Sequence, residues 1–215
     1  MMARSARLVT LLSLLSAAAC SSGRAEPARE LDPALQAYVL PAVPRDVQHR
    51  TFIDFEGKVH LSGYDLSPAG TIAPGSSGTL TLYWSSIAPL GPGWSTFTHV
   101  LDPSGEQLAN LDSSGPLRQT TEGRQALPPS EWQPGKVYKD EVPFEMPRNI
   151  RSPEAVVVAG IWRPPLGGGT RNAPLSGLRL DVVSGSQAGE NRAIVAYVPT
   201  GVPRSVRPLP RPSSR

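Results

Sequence analysis

The chain of 215 residues contains 24 Pro and 20 Gly, 6% aromatic residues and a single cysteine. One cysteine excludes an internal disulfide and a zinc site built on several thiolates, and the frequent prolines exclude a bundle of long helices, because each interior proline costs a helix about 3 kcal/mol. The formal charge of +3 comes from the ends, since residues 51–198 hold 11 basic and 14 acidic residues and residues 199–215 carry four arginines and no acid. The body is therefore mildly acidic and lacks the basic face that nucleic-acid binding needs.

The N-terminus has the pattern of a signal peptide. Arg4 and Arg7 precede an apolar stretch, residues 8–19, that ends in three alanines. As a helix this stretch would span about 18 Å, too short for a hydrocarbon core of about 30 Å. A basic start, a short apolar segment and small residues at its end predict a cleaved signal peptide over residues 1–19.

The single cysteine lies directly after this segment. Ala17-Ala18-Ala19-Cys20 resembles a bacterial lipobox, with Ala17 at the position where Leu is usual. The resemblance implies cleavage before Cys20, a lipid on its sulfur and an anchor in the membrane, to which each buried CH₂ contributes about 0.8 kcal/mol. Ser21 and Ser22 stand where an aspartate would favour the inner membrane, so we expect the outer membrane of a bacterial envelope. The alternative is an ordinary signal peptide that leaves Cys20 without a role.

Two segments flank the predicted domain. Residues 20–50 mix Ser, Ala, four prolines and balanced charges, which predicts a flexible tether. Residues 199–215 contain five prolines, four arginines and almost no apolar side chains, too little apolar surface to fold, so they are predicted to be a disordered tail. The domain is therefore expected over residues 51–198.

Short apolar runs separated by turn residues predict strands within this domain. In residues 79–85, for example, Leu80, Leu82 and Trp84 fall on one face of a strand, and Thr79, Thr81 and Tyr83 fall on the other. Such alternation is typical of a half-buried strand. Asp102-Pro-Ser-Gly105 matches a type I turn and predicts a hairpin. Residues 155–162 are continuously apolar, as in a central strand. The eight predicted strands cover residues 58–65, 79–85, 96–101, 106–111, 136–144, 155–162, 178–183 and 192–198.

This pattern predicts an all-β fold, an immunoglobulin-like antiparallel β-sandwich of about eight strands; a closed barrel is the alternative. Two stretches are more specific: residues 61–105, with Leu80-Thr-Leu-Tyr-Trp84 and Phe97-Thr-His-Val-Leu-Asp-Pro-Ser-Gly105, and Pro129-Ser-Glu-Trp-Gln-Pro-Gly-Lys-Val137 followed by Asp140. In this order they resemble the β-sandwich domain appended to membrane-embedded bacterial glycosyltransferases of the mannosyltransferase type. The resemblance implies a sandwich on the outer face of a membrane and carries over no catalytic residue.

Motifs for chemistry are sparse. His49, His60 and His99 lack metal-ligand spacing, the elbow Gly-x-Ser-x-Gly of hydrolases is missing, and no catalytic residue, metal site or cofactor is predicted. Trp94 and Trp132 are predicted to lie in surface loops, where aromatic rings could stack on sugars, although a tryptophan beside Pro and Gly can also close the end of a sandwich.

The leading hypothesis is a non-enzymatic, lipid-anchored envelope protein whose sandwich mediates interaction or assembly at the envelope surface. Its partners are the membrane, through Cys20, and another envelope protein or a polysaccharide. The alternative hypothesis is a carbohydrate-binding module, using Trp94 and Trp132, linked to polysaccharide synthesis, export or adhesion. An envelope enzyme is the third hypothesis, for which convergent carboxylates in a cleft would be the signature.

Overall fold

Two antiparallel sheets face each other in the computed structural model, which describes residues 31–121, 123–164 and 177–204. The strands are β1 (Val39–Leu40), β2 (His49–Phe55), β3 (Val59–Ser67), β4 (Ser77–Ser86), β5 (Ser95–Leu101), β6 (Gln107–Asn110), β7 (Thr120–Thr121), β8 (Arg124–Gln125), β9 (Val137–Glu145), β10 (Glu154–Arg163), β11 (Leu178–Arg179), β12 (Val182–Ser184) and β13 (Ala193–Pro199); a four-residue helix, α1 (Pro33–Gln36), and a 3₁₀ helix, Pro129–Glu131, are the helical elements of the described ranges.

The six-stranded sheet has the order β1-β9-β4-β3-β2-β12. In the five-stranded sheet β10 is central, with β5 and then β6 on one side and β13 and β11 on the other. β7 and β8 form a separate ribbon. The prediction of an all-β antiparallel sandwich is confirmed, and two distinct sheets are not the closed barrel that was the alternative.

Alternating side chains of both sheets meet in one core. Leu80, Leu82 and Trp84 of β4 point inward as their spacing predicts, and each is at most 1% exposed. β10 is buried along most of its length because both of its faces are covered. Alternate residues from Ala155 to Ile161 face the main core, and Val156 and Val158 pack on the other face against a second cluster that includes Leu101. The predicted hairpin is also confirmed, since the Gly105 N–H donates to the Asp102 carbonyl at 3.0 Å between β5 and β6.

One predicted strand divides into two. The stretch 178–183 contains β11, which pairs with β10, and β12, which pairs with β2 in the other sheet. Between them Leu180 is 1% exposed and donates its N–H to the Ile161 carbonyl at 3.0 Å. The chain therefore crosses from one sheet to the other within a few residues, which the alternation of apolar and charged residues in this stretch does not reveal.

The domain also extends beyond the boundaries expected from composition. Residues 31–50, expected to belong to the tether, include α1, β1 and the start of β2, and Leu31, Leu35 and Tyr38 pack against the core. α1 begins at an Asp-Pro pair in which Asp32 Oδ1 accepts the Ala34 N–H at 2.9 Å, the usual geometry of an N-cap. Of the expected tether, residues 20–30 lie outside the described residues.

The packed domain also extends beyond its expected C-terminal boundary. Pro199, expected in the disordered tail, ends β13, and its carbonyl accepts the Ile72 N–H at 2.9 Å. Thr200 is fully buried, and its hydroxyl donates to the Ser152 carbonyl at 2.6 Å. The packed domain therefore includes these two residues, while residues 205–215 of the predicted tail lie outside the described residues.

Candidate functional site

Trp132, one of the two tryptophans predicted to contact a glycan, lies inside the sandwich. It is 4% exposed, and its ring stacks on Tyr138 with 4.6 Å between the centroids. Its indole N–H donates to the Leu127 carbonyl at 3.2 Å. The 3₁₀ helix before it turns the side chain into the core, so Trp132 does not occupy the exposed loop position expected from its Pro-rich neighbours and has no free face for a sugar.

Trp94 is half-buried and packs against the main core. The Arg163 guanidinium lies 4.9 Å from the centre of its ring, the distance of a cation–π contact. The Trp132 ring packs against the rings of Trp84 and Tyr138. It is therefore not available as a second sugar-binding ring beside Trp94. The carbohydrate alternative therefore depends on Trp94 alone, with one face of its ring already next to a cation.

An ion pair that the sequence did not predict lies in the core. Arg118, in the loop between β6 and β7, is fully buried, and Asp140 on β9 is 1% exposed. The guanidinium Nη2 donates to Asp140 Oδ2 at 2.7 Å, and Nε donates to both carboxylate oxygens at 3.0–3.1 Å. The Trp84 indole N–H adds a bond to Asp140 Oδ2 at 3.1 Å. Hydrogen-bond donors enclose this carboxylate, so its role is structural. It holds the loop that carries Arg118 against β9 and β4.

A weak sequence signal for this pair exists on β9 only. Tyr138, Asp140 and Val142 occupy alternate positions of the strand, and the two apolar members face the core, so period-two alternation alone places the carboxylate inward. The arginine lies in a loop without periodicity. Its side chain could not be assigned to the core before the tertiary structure was known.

The three histidines occupy separate places in the fold. His49 stacks on Tyr64 with 4.6 Å between the ring centroids. His60 Nε2 lies 3.5 Å from Asp54 Oδ1, and His99 Nε2 lies 3.4 Å from Asp112 Oδ1. Within residues 31–121, 123–164 and 177–204 no group of three or more His, Cys, Asp or Glu side chains is arranged to hold a metal ion.

Part of the outer face of the six-stranded sheet is covered by residues 38–48, which we call the N-terminal strap. Val47, with Leu40 and Val43, packs on Tyr83 and Val137, whose side chains point away from the main core. The strap continues β1, which pairs with β9 at Val137 and Tyr138. The strap therefore buries a second, smaller apolar cluster.

Polar contacts fix the end of the strap. The Tyr83 hydroxyl donates to Asp65 Oδ2 at 2.7 Å, and Asp65 Oδ1 accepts the Gln48 N–H at 2.7 Å. The Gln48 side-chain carbonyl in turn accepts the Leu66 N–H at 3.1 Å. Burial, followed by the hydrogen bond to the Asp65 carboxylate, raises the pKa of Tyr83 well above its ordinary value. The network therefore needs a protonated tyrosine.

Tyr83→Phe tests this network through its pH dependence. Because the pKa of Tyr83 is higher in the folded than in the unfolded chain, the native protein should lose stability as the pH rises above about 10, where unfolded tyrosine ionises, by up to about 1.4 kcal/mol per pH unit. We expect the variant to be less stable by about 1 kcal/mol at pH 7 and to lose less stability between pH 9.5 and 11. Urea unfolding at each pH measures both effects. Parallel losses in the two proteins would show that Tyr83 is not the titrating group.

The rest of this outer face exposes two apolar side chains on neighbouring strands. Phe52 of β2 is 58% exposed and Val183 of β12 is 66% exposed. Each adjoins an inward-facing core residue, Ile53 and Val182 respectively, and the Phe52 ring lies edge-on to His60 with 4.7 Å between centroids. We call Phe52 and Val183 the apolar patch. Each is a candidate contact point, because large apolar side chains exposed on neighbouring strands are available to a partner.

The lipid-anchor prediction falls on Cys20, which lies outside the described residues, so the structure does not address it. Among the residues that the structure describes, no helix has the length and hydropathy needed to cross a bilayer. Comparison of the chain with models of known protein families finds no match. Comparison with curated proteins finds none that is significantly similar.

Proposed function

We propose that this protein is a lipid-anchored component of a bacterial envelope and that its β-sandwich mediates interaction or assembly at the envelope surface. The observation that carries the proposal is the sequence Ala17-Ala18-Ala19-Cys20 at the end of a short apolar segment. The only thiol of the chain lies at the one position where a lipobox requires it. Acyl chains on this residue would hold the domain at the membrane, because two or more buried chains bind a bilayer stably.

Two properties of the sandwich support a role in binding a partner, a rigid core and exposed apolar side chains. Its main core is shared by both sheets, and the enclosed Arg118–Asp140 pair holds a long loop in one position. Exposed apolar side chains lie on both sheets, Phe52 and Val183 on the six-stranded sheet and Leu178 and Tyr197 on the five-stranded sheet; these are the candidate contact residues. A preorganised surface on a rigid scaffold loses little conformational entropy when it binds a partner.

Metabolic labelling with palmitate tests the anchor. The native chain is expressed in a bacterial host beside Cys20→Ser, which differs by one atom and removes the acceptor sulfur. We expect label on the native protein alone, together with its recovery in the membrane fraction and release of the variant into the soluble fraction. Ser21→Ala, next to the acceptor, is the control and should be labelled like the native chain. Equal labelling of the native chain and Cys20→Ser, or none in either, would refute the proposal.

A further inference from the structure

We propose that residues 31–48, which we call the N-terminal segment, open as one unit while the two sheets stay folded, and that this opening lengthens the link between the lipid anchor and the sandwich. The segment contains α1, β1 and the N-terminal strap. The change in reach rests on the proposed lipidation of Cys20, whereas the opening itself is a property of the domain. The segment is thus a conformational device that sets how far the sandwich extends from its membrane.

The N-terminal segment is packed more thinly than the strands that follow it. Val47 is its one buried residue, at 9% exposed, and Leu31 and Tyr38 contact the main core while only partly buried. β1 pairs with β9 at two positions, whereas β4 pairs with β9 at nine. Segments with few buried apolar contacts open locally at a lower free energy than the core of the same protein. The segment therefore meets the physical condition for opening before the sandwich unfolds.

Two prolines explain why the pairing of this segment is short. Pro41 follows β1 directly, and Pro44 lies in the middle of the strap. Proline has no N–H to donate to a strand ladder, so β1 ends at Leu40 and residues 41–48 cross the sheet face without forming a strand. The sequence therefore builds a weakly paired link between α1 and β2.

The hydrogen bonds at the far end of the strap are exposed to solvent. The Arg50 guanidinium donates to the Pro44 carbonyl at 2.9 Å, and the Gln48 N–H donates to Asp65 Oδ1 at 2.7 Å. Water replaces an exposed hydrogen bond when it breaks, so each bond opposes opening only modestly. The apolar contacts of Val47 are therefore the main interaction that holds the strap closed.

The sandwich keeps its own core when the segment opens. Val47 belongs to the cluster on the outer face, which is separate from the main core between the sheets. β2 begins at His49, directly after the segment, and its Ile53 and Phe55 are at most 2% exposed in the main core. β2, β3, β4 and β9 are joined to one another by their own pairing. We therefore expect the opening to stop at His49.

The consequence of opening is a longer tether. In the closed form ten residues, 21–30, separate Cys20 from Leu31 and span at most about 35 Å when fully extended. In the open form 28 residues, 21–48, separate Cys20 from His49 and span at most about 100 Å. The segment lies in series between the anchor and the sandwich, so tension between them loads its weak contacts. An anchored sandwich could then reach a partner about three times farther away without a change in its own fold.

Hydrogen exchange of the unlipidated Cys20→Ser protein tests the opening. The Lys139 N–H donates to the Tyr38 carbonyl at 2.8 Å and reports on the β1 end of the strap, and the Gln48 N–H reports on the β2 end. Both amides should exchange at least about a hundredfold faster than the paired amides of β4, after correction for intrinsic rates. Exchange of the two amides at the rate of β4 would overturn the proposal.

A pair of variants tests whether the two ends open together. Val47→Ala should speed exchange at both Lys139 and Gln48 by about tenfold, since it removes apolar contacts of the closed form. Val183→Ala, the same change at an exposed position of β12, is the control and should speed neither. A response to Val47→Ala at Gln48 alone would overturn the proposal, because the segment would not then open as one unit.

Single-molecule force measurements test the change in length. Handles are attached to the free thiol of Cys20 in the unlipidated chain and to Gln107→Cys, an exposed position of β6. We expect an early, reversible step that adds at most about 65 Å of contour length, as 18 residues allow, before the larger steps of the sandwich. Val47→Ala should open this step about tenfold more often at a given force, and Val183→Ala should not.

The outcomes separate this proposal from the proposed function. A chain that unfolds without the early step would overturn the opening and leave the lipid anchor standing, because neither measurement involves the lipid. Failure of palmitate labelling would refute the proposed function and, with it, the change in reach, even where the early step is present.

Discussion

Asp140→Asn is expected to destabilise the protein by about 3–5 kcal/mol, because it leaves the buried charge of Arg118 without a counter-charge. Arg118 is fully buried and donates three bonds to this carboxylate. Arg118→Met should have an effect of the same order, since it leaves the carboxylate with only the Trp84 indole N–H. Urea unfolding of the two variants, in the unlipidated Cys20→Ser protein, measures both losses.

The double variant Arg118→Met with Asp140→Leu should be more stable than either single variant. Replacing a whole buried ion pair by apolar groups removes both desolvation penalties, whereas replacing one partner leaves the other charge buried without its counter-charge. Glu145→Gln is the control, because its partner Arg148 is 79% exposed and a surface pair contributes about 0–1 kcal/mol. If the single variants lose no more stability than this control, the Arg118–Asp140 pair is not enclosed in the core in solution.

Gly115→Ala is expected to be the most damaging glycine substitution among the tight turns, with a cost of about 3 kcal/mol or more. Gly115 has a φ of +96°, and a Cβ there would overlap the Glu141 carbonyl oxygen of β9. Its own carbonyl accepts the N–H groups of Arg118 and Gln119 at 3.1 and 3.0 Å. Displacing Gly115 would therefore also displace the arginine that enters the core.

Gly105→Ala provides a matched control for this substitution. Gly105 has a φ of +92° and no atom within 4 Å of an added Cβ, so its cost should be only that of the left-handed backbone, about 1–2 kcal/mol. Thermal unfolding of both variants separates backbone strain from the steric overlap with β9. If the two glycines cost the same, the close approach of the loop to Glu141 is not present in solution.

The same loop helps to protect an edge of the six-stranded sheet. Among the described residues, β1 pairs with β9 at two positions, and no other strand of those ranges pairs with the outer edge of β9. Gly115 approaches this edge at Glu141, and Pro143, which has no N–H, follows two residues later. Proline and charged side chains are common ways to prevent edge-to-edge pairing. The loop therefore protects the sheet edge in addition to holding the core ion pair.

Several strands could be predicted from the sequence because their alternation is regular. β4 places its apolar residues in strict register, and the turn from Asp102 to Gly105 has the residues that a type I turn prefers. β2 is not predicted from the sequence, because a bulge lies between Arg50 and Ile53 and the outward-facing Phe52 is as apolar as its buried neighbour Ile53. A pattern of period two does not survive such an extra residue.

The observed positions of the candidate site residues differ from the expected ones for a similar reason. Trp132 was expected at the surface from its Pro-rich neighbours, yet the 3₁₀ helix directs it onto Tyr138 in the core. The partnership of Arg118 with Asp140 joins residues 22 positions apart, and no local rule relates them. Local composition describes the backbone around a side chain, whereas its burial depends on which distant residues surround it.

Short alternating apolar runs between turn residues determined an all-β fold from the sequence alone, and the motif that ends in the single cysteine predicted an anchor at Cys20. Both follow from local chemistry, the conformational limits of the backbone and the spacing of a short motif. Only the tertiary structure decided where the domain begins, which tryptophan is buried, and which sheet face carries exposed apolar residues. Each of these depends on contacts between residues far apart in the chain, and the composition of a segment does not contain them.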